Sequence, residues 1–216
     1  MKKTFFCLIL LFVFYSSNAN NYFGYFLPDS FISTTDSLKL TNGAIIYKTN
    51  VPQYLIGIYS KKFTSNQVEL INSQEPIIIL FSFLSDSVDL KIIKKDWLEV
   101  LKNNNIQDKI LLEDFEDFFD CISEIKIINS TVIQLDYEPG SGTNIYYNDE
   151  QKCIIEGFEF KKALISIFAG DNPLNPKAKI QLMTQVPKDK AENTDKWSFW
   201  DILLIILQAF INASEN

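Results

Sequence analysis

The sequence predicts an α+β protein, an antiparallel sheet with helices laid against it, and three observations predict it. The stretch TVIQLDYEPGSGTNIYYNDEQKCIIEGFEFKKALISIFAGD (131–171) reads as strand, turn, strand, turn, strand, then a helix ending at a glycine. The run IIILFSF (77–83) does not alternate over its first residues, so both of its faces should be covered. Residues 88–101 and 108–122 carry apolar side chains at helical spacing with charge opposite.

The elements follow in order. Lys2 and Lys3, an apolar run over 5–15 and the small residues Ser17-Asn18-Ala19 form the three parts of a secretory signal. The apolar run is too short to span a bilayer, which takes roughly 20 residues. Residues 1–19 are therefore expected to be a cleavable signal peptide, and the protein to be secreted or periplasmic. The aromatic stretch 22–27 is an edge strand or a packed arm. Asn42-Gly43, between two strand-like runs, predicts a hairpin turn. Residues 51–59 form a further strand, and Ser65 is placed to cap a short helix through Asn72. The helix at 88–101 presents Ile92, Ile93, Trp97, Val100 and Leu101 on one stripe. The helix at 108–122 sets Phe115, Phe118 and Phe119 against Glu113, Glu116, Asp117 and Asp120. That acidic face lacks the glycine turn and alternating carboxylates of a calcium loop, so it reads as a solvated surface. In the meander, Pro139-Gly140-Ser141-Gly142 joins strand to strand, which is turn chemistry and not a phosphate loop. A helix over 158–169 ends at Gly170, placed as its C-cap, and 175–183 adds a short helix.

Composition narrows the chemistry. The chain has 20 cations, every one lysine, against 27 acidic residues, and no histidine. Its formal charge of −7 becomes more negative still without Lys2 and Lys3. Phosphate backbones attract cations, so nucleic acid is not an expected partner. Without histidine, serine–histidine and cysteine–histidine catalysis are excluded, and the commonest zinc ligand is missing. No metal or cofactor is expected. Beyond the signal, Cys121 and Cys153 are either bridged or two separate buried thiols.

Five segments, in order, carry a resemblance: LTNGAIIY (40–47), YLIGIY (54–59), FSFLSDSV (81–88), DYEPGSGT (136–143) and FKKALISIFAGDNP (160–173). Together they resemble the chalcone isomerase family, in particular its bacterial secreted branch. The resemblance implies an open-faced sandwich: an antiparallel sheet with helices on one face and an apolar cleft between the layers. Catalytic members add a phenolate across an enone to close a flavanone ring, and others hold fatty acids in the same cleft.

The departures from that pattern bear on activity. Where the family carries an arginine at the end of the first motif, this chain has Tyr47, and it has no arginine anywhere. A neutral phenol replaces a permanent charge with a two-pronged grip, and losing a main oxyanion stabiliser costs on the order of 10²–10³ in rate. The threonine that assists catalytic members is Tyr54, and a hydroxyl near the last helix falls at Ile167. Lys48, next to Tyr47 on an extended strand, points to the opposite face. No catalytic residue is assigned. The resemblance makes Tyr47, Tyr54 and Ile167 the candidate ligand-binding positions, with Tyr47 and Tyr54 either lining the cleft or packed in the core. The expected function is an exported, non-catalytic protein holding a fatty-acid-like or other apolar ligand, with intramolecular lyase activity as a further alternative.

The isomerase-like domain is expected over 20–183, with a polar linker at 184–196. Residues 197–212 then form an apolar helix with a narrow polar stripe of Ser198, Asp201, Gln208 and Asn212. Its large apolar side chains, at roughly 1.5–3 kcal/mol each, will not stay in water. It docks on its own domain, or meets a protein partner or a membrane interface through Trp197, Trp200, Leu203 and Leu207. This makes an interaction protein the alternative class.

Overall fold

A computed structural model describes residues 19–22, 25–32, 37–86 and 88–184. The signal peptide, the linker and the C-terminal helix expected from the sequence lie outside these residues, apart from Ala19 and Thr184 at their borders. Among the described residues no helix is long and apolar enough to cross a membrane.

The main sheet has seven strands. They are β3 (Ser30–Ile32), β4 (Ser37–Lys48), β5 (Val51–Ser60), β6 (Ile77–Phe83), β7 (Val132–Glu138), β8 (Gly142–Tyr147) and β9 (Glu150–Glu156), hydrogen-bonded in that order. Every neighbouring pair is antiparallel. The apolar run at 77–83 is β6, buried along almost its whole length beside β5 and β7, as its lack of alternation requires. β1 (Ala19–Tyr22) and β2 (Tyr25–Pro28) form a separate antiparallel hairpin, so the aromatic arm is not an edge of the main sheet.

Helices cover one face. α1 (Gln67–Asn72) lies between β5 and β6, α2 (Leu90–Asn103) and α3 (Lys109–Cys121) between β6 and β7, and α4 (Glu159–Ala169) and α5 (Pro176–Leu182) follow β9. The apolar stripes of α2 and α3 meet α4 over the sheet: Trp97 stacks on Phe118 at 5.9 Å and meets Phe168 edge-on at 5.4 Å. α4 is buried almost all round because it sits in the middle of this layer. The opposite face is not open throughout. Leu38, Leu40, Ile45, Leu55, Tyr59, Ile78 and Leu80 form a second core there, with Leu27 from β2 and Phe31 from β3 packed onto it.

Two local expectations are corrected. Asn42-Gly43 is not a turn: β4 runs straight through it, and the hairpin turns at Thr49-Asn50, both with positive φ (50° and 65°). Asn42 is held inside by tertiary partners, its Nδ2 donating to Thr64 O at 3.0 Å and Leu182 O at 2.7 Å. Gly43 pairs with Gly57, where a Cβ would press to 3.2 Å on Leu27 and Leu40. The cap of α1 is Asn66, not Ser65, its Oδ1 accepting from Val68 N and Glu69 N. Gly170 is the C-cap of α4 as expected; its φ is −66°, and glycine is needed because a Cβ would stand 2.3 Å from Ser166 O.

Cys121 at the end of α3 is disulfide-bonded to Cys153 of β9, with Cα atoms 6.2 Å apart. The bond ties the helix layer to the far edge of the sheet.

Candidate functional site

The end of the β4–β5 hairpin, the first half of α2 and the segment entering α5 enclose a cleft of about 510 Å³. Clefts of this size accommodate small ligands. Ile46, Val51, Val88, Ile92, Ile93 and Leu174 supply apolar walls. Tyr47, Lys48, Tyr54, Asp89, Asp96 and Trp97 bring the polar groups.

Tyr54 belongs to the buried side of this cleft. It is 3% exposed and packs against Phe81 and Phe83, with ring centroids 5.9 and 5.7 Å away. Its Oη accepts a hydrogen bond from Trp97 Nε1 at 3.2 Å. Burial, and to a lesser degree the charge of Asp96, pushes its hydroxyl far above the usual phenol range, although the Trp97 bond opposes this. Tyr54 is therefore a neutral hydrogen-bonding group. Tyr47 stands at the mouth, 42% exposed.

The β4–β5 pairing is irregular between Ile46 and Tyr47. Tyr47 and Lys48 are both among the residues that border the cleft. Ile167 lies elsewhere. It is fully buried within α4, outside the cleft lining, and its carbonyl accepts from Leu174 N at 2.7 Å. Its link to the cleft is through the backbone that holds Leu174. Asp96 and Trp97 are cleft residues the sequence reading did not select; Trp97 looked like one more member of a core stripe.

A second depression of about 610 Å³ lies around α1, lined by Lys61, Lys62, Glu69 and Glu75 among others. Those charges neutralise each other, Lys61 with Glu75 at 3.1 Å and Lys62 with Glu69 at 2.8 Å. The α2 cleft is the better candidate because tyrosine, tryptophan and aliphatic side chains line one space there. It offers neither an arginine nor a histidine to stabilise or move charge in a reaction.

An antiparallel sheet backed by helices, with an apolar cleft beside the β4–β5 hairpin and α2, defines an α+β sandwich. A family model described as chalcone isomerase-like matches residues 19–184, and the chain belongs to that family. Among solved structures, it is similar to a fatty-acid binding protein of Arabidopsis thaliana, at 14% identity and a TM-score of 0.54, covering 74% of this chain and 92% of that one. At that identity the likeness is one of fold. No curated protein matches the chain by sequence.

Proposed function

We propose that this protein is a non-catalytic binding protein that holds a fatty-acid-like or other apolar single-chain ligand in the α2 cleft. The observation that carries the reading is the cleft itself: apolar walls around the neutral Tyr54, with Tyr47 at the position where the family resemblance implies an arginine. The fatty-acid binding protein of the same fold adds support. Fold does not fix function, so the ligand is argued from the site. The signal-like residues 1–19 support a setting outside the cytoplasm, secreted or periplasmic. The apolar segment 197–212 supports an added contact with a partner or membrane interface through Trp197, Trp200, Leu203 and Leu207.

Native mass spectrometry of gently released full-length protein, beside lipid identification, tests the proposal. A stoichiometric single-chain ligand is the expected result. A protein that arrives empty and also ignores added single-chain lipids overturns it. Incubation with a chalcone is expected to give no flavanone above the uncatalysed rate; clear turnover would make the protein a lyase.

A further inference from the structure

The polar groups of the cleft are unevenly signed. α2 contributes two carboxylates to its lining, Asp89 and Asp96, against one cation, Lys48. Asp89 is committed to capping its helix, Oδ1 accepting from Lys91 N at 2.9 Å. Asp96 is half-buried, and among the described residues it has no hydrogen-bond or ion-pair partner. It lies close enough to Tyr54 for its charge to act on that hydroxyl. Tyr54 Oη accepts from Trp97 Nε1, and its own proton has no acceptor among the described residues. Tyr54 and Asp96 thus line one cleft together, the first with an unspent O–H donor and the second with an unspent carboxylate acceptor.

A carboxylate head group satisfies half of this pair. It accepts from Tyr54 but sets a second negative charge beside Asp96 in a half-buried place, where like charges are poorly screened. A hydroxyl head group satisfies both halves. Its oxygen accepts from Tyr54, and its proton goes to the Asp96 carboxylate in a charge-assisted bond. Lys48 does not reverse this preference, since it is exposed on the hairpin, where water and salt screen it.

We propose that the cleft selects a single-chain ligand whose head group is a hydroxyl, in preference to the carboxylate anion of the same chain, with Asp96 as the residue that discriminates. The proposal rests on the binding function argued above and specifies the chemical class of its ligand.

The test uses full-length protein with N-phenyl-1-naphthylamine, an uncharged fluorescent probe, bound in the cleft. Dodecan-1-ol and dodecanoate then compete for it near neutral pH. Dodecanol is expected to displace the probe at a concentration about tenfold lower than dodecanoate. Equal or reversed potency overturns the hydroxyl assignment while leaving a binding protein in place. If neither compound competes and neither binds by mass spectrometry, the binding function falls and the head-group preference falls with it. Asp96→Asn, folded by circular dichroism, is expected to narrow the gap to about threefold or less by tightening dodecanoate. A gap unchanged in that variant, or in Asp96→Ser should the first fail to fold, overturns the role of Asp96.

Discussion

Two buried charges outside the cleft give the protein opposite responses to pH. Asp136 on β7 is 9% exposed, and its Oδ1 has no hydrogen-bond partner among the described residues. Burial first, and Glu138 second, raise its carboxyl from 3.8 to about 6. Between those values the folded chain keeps a proton that the unfolded chain has lost, so this contribution to stability falls as pH rises through the window. At neutral pH the buried carboxylate costs about 2–3 kcal/mol. Asp136→Asn is accordingly expected to raise stability at neutral pH by about 1–2 kcal/mol and to flatten the slope. Urea unfolding on both sides of the window measures it; a variant weaker than the parent at neutral pH would contradict the assignment. Lys161 on α4 works the other way. Fully buried, it donates from Nζ to the carbonyls of Ile71 and Ser73, at the C-terminal end of α1, and lies 4.5 Å from the Phe158 ring centroid. Burial, assisted by Lys162, lowers it from 10.5 to about 8. The unfolded chain then binds more protons between those values, so stability from this group rises with pH across them. Lys161→Met should remove that alkaline rise, which thermal unfolding over the same range will report.

At the scale of elements, Asn42 shows how one side chain joins three of them. From β4 it holds the backbone before α1 at Thr64 and the end of α5 at Leu182. β3 pairs with β4 only over residues 37–39, so α5 covers the remaining edge, with Gln181 Oε1 accepting from Ile45 N at 2.9 Å. Asn42→Ala leaves two carbonyls short of a donor and is expected to cost about 2–4 kcal/mol. Hydrogen exchange should show the loss concentrated in residues 176–182 as well as in global stability. The same residue marks the limit of what the sequence conveys. The meander at 131–156 and the two long helices are legible because their periods repeat locally: alternation gives β7, and the Ile93–Trp97–Val100–Leu101 stripe gives α2. Asn42-Gly43 carries a genuine local turn signal, but it is overruled by a partner 140 residues away and by a close approach at Gly57. The cleft is half legible for the same reason. Tyr47 and Tyr54 could be selected by motif position, whereas the Trp97–Tyr54 bond joins two elements 43 residues apart and leaves no local trace. Asp96 carries no local signal that it lines the same cleft as Tyr54.

For the whole molecule, the disulfide is the one covalent tie between the helix layer and the sheet's far edge among the described residues, and it links stability to the compartment proposed above. Cys121 and Cys153 are 32 residues apart in sequence, and a loop of that length corresponds to about 3.5 kcal/mol in the chain-entropy model. In a domain of this size each kcal/mol shifts Tm by about 2–4 °C. Reduction is therefore expected to lower Tm by about 10 °C, and Cys153→Ser to do the same without reductant. The cost should appear in unfolding and not in the cleft, because neither cysteine lines it. Probe binding by the reduced protein, measured well below its Tm, should match that of the oxidised form. Alkylation without prior reduction supplies the compartment test: a protein taken from an oxidising space leaves Cys121 and Cys153 unmodified, whereas one held in the cytosol takes up a label at both. Full labelling in freshly isolated protein would remove both the bridge and the argument from redox compartment for export. A bridged protein whose Tm ignores reductant would instead show that the helix layer and sheet hold together by packing alone, through the Trp97, Phe118 and Phe168 contacts at its centre.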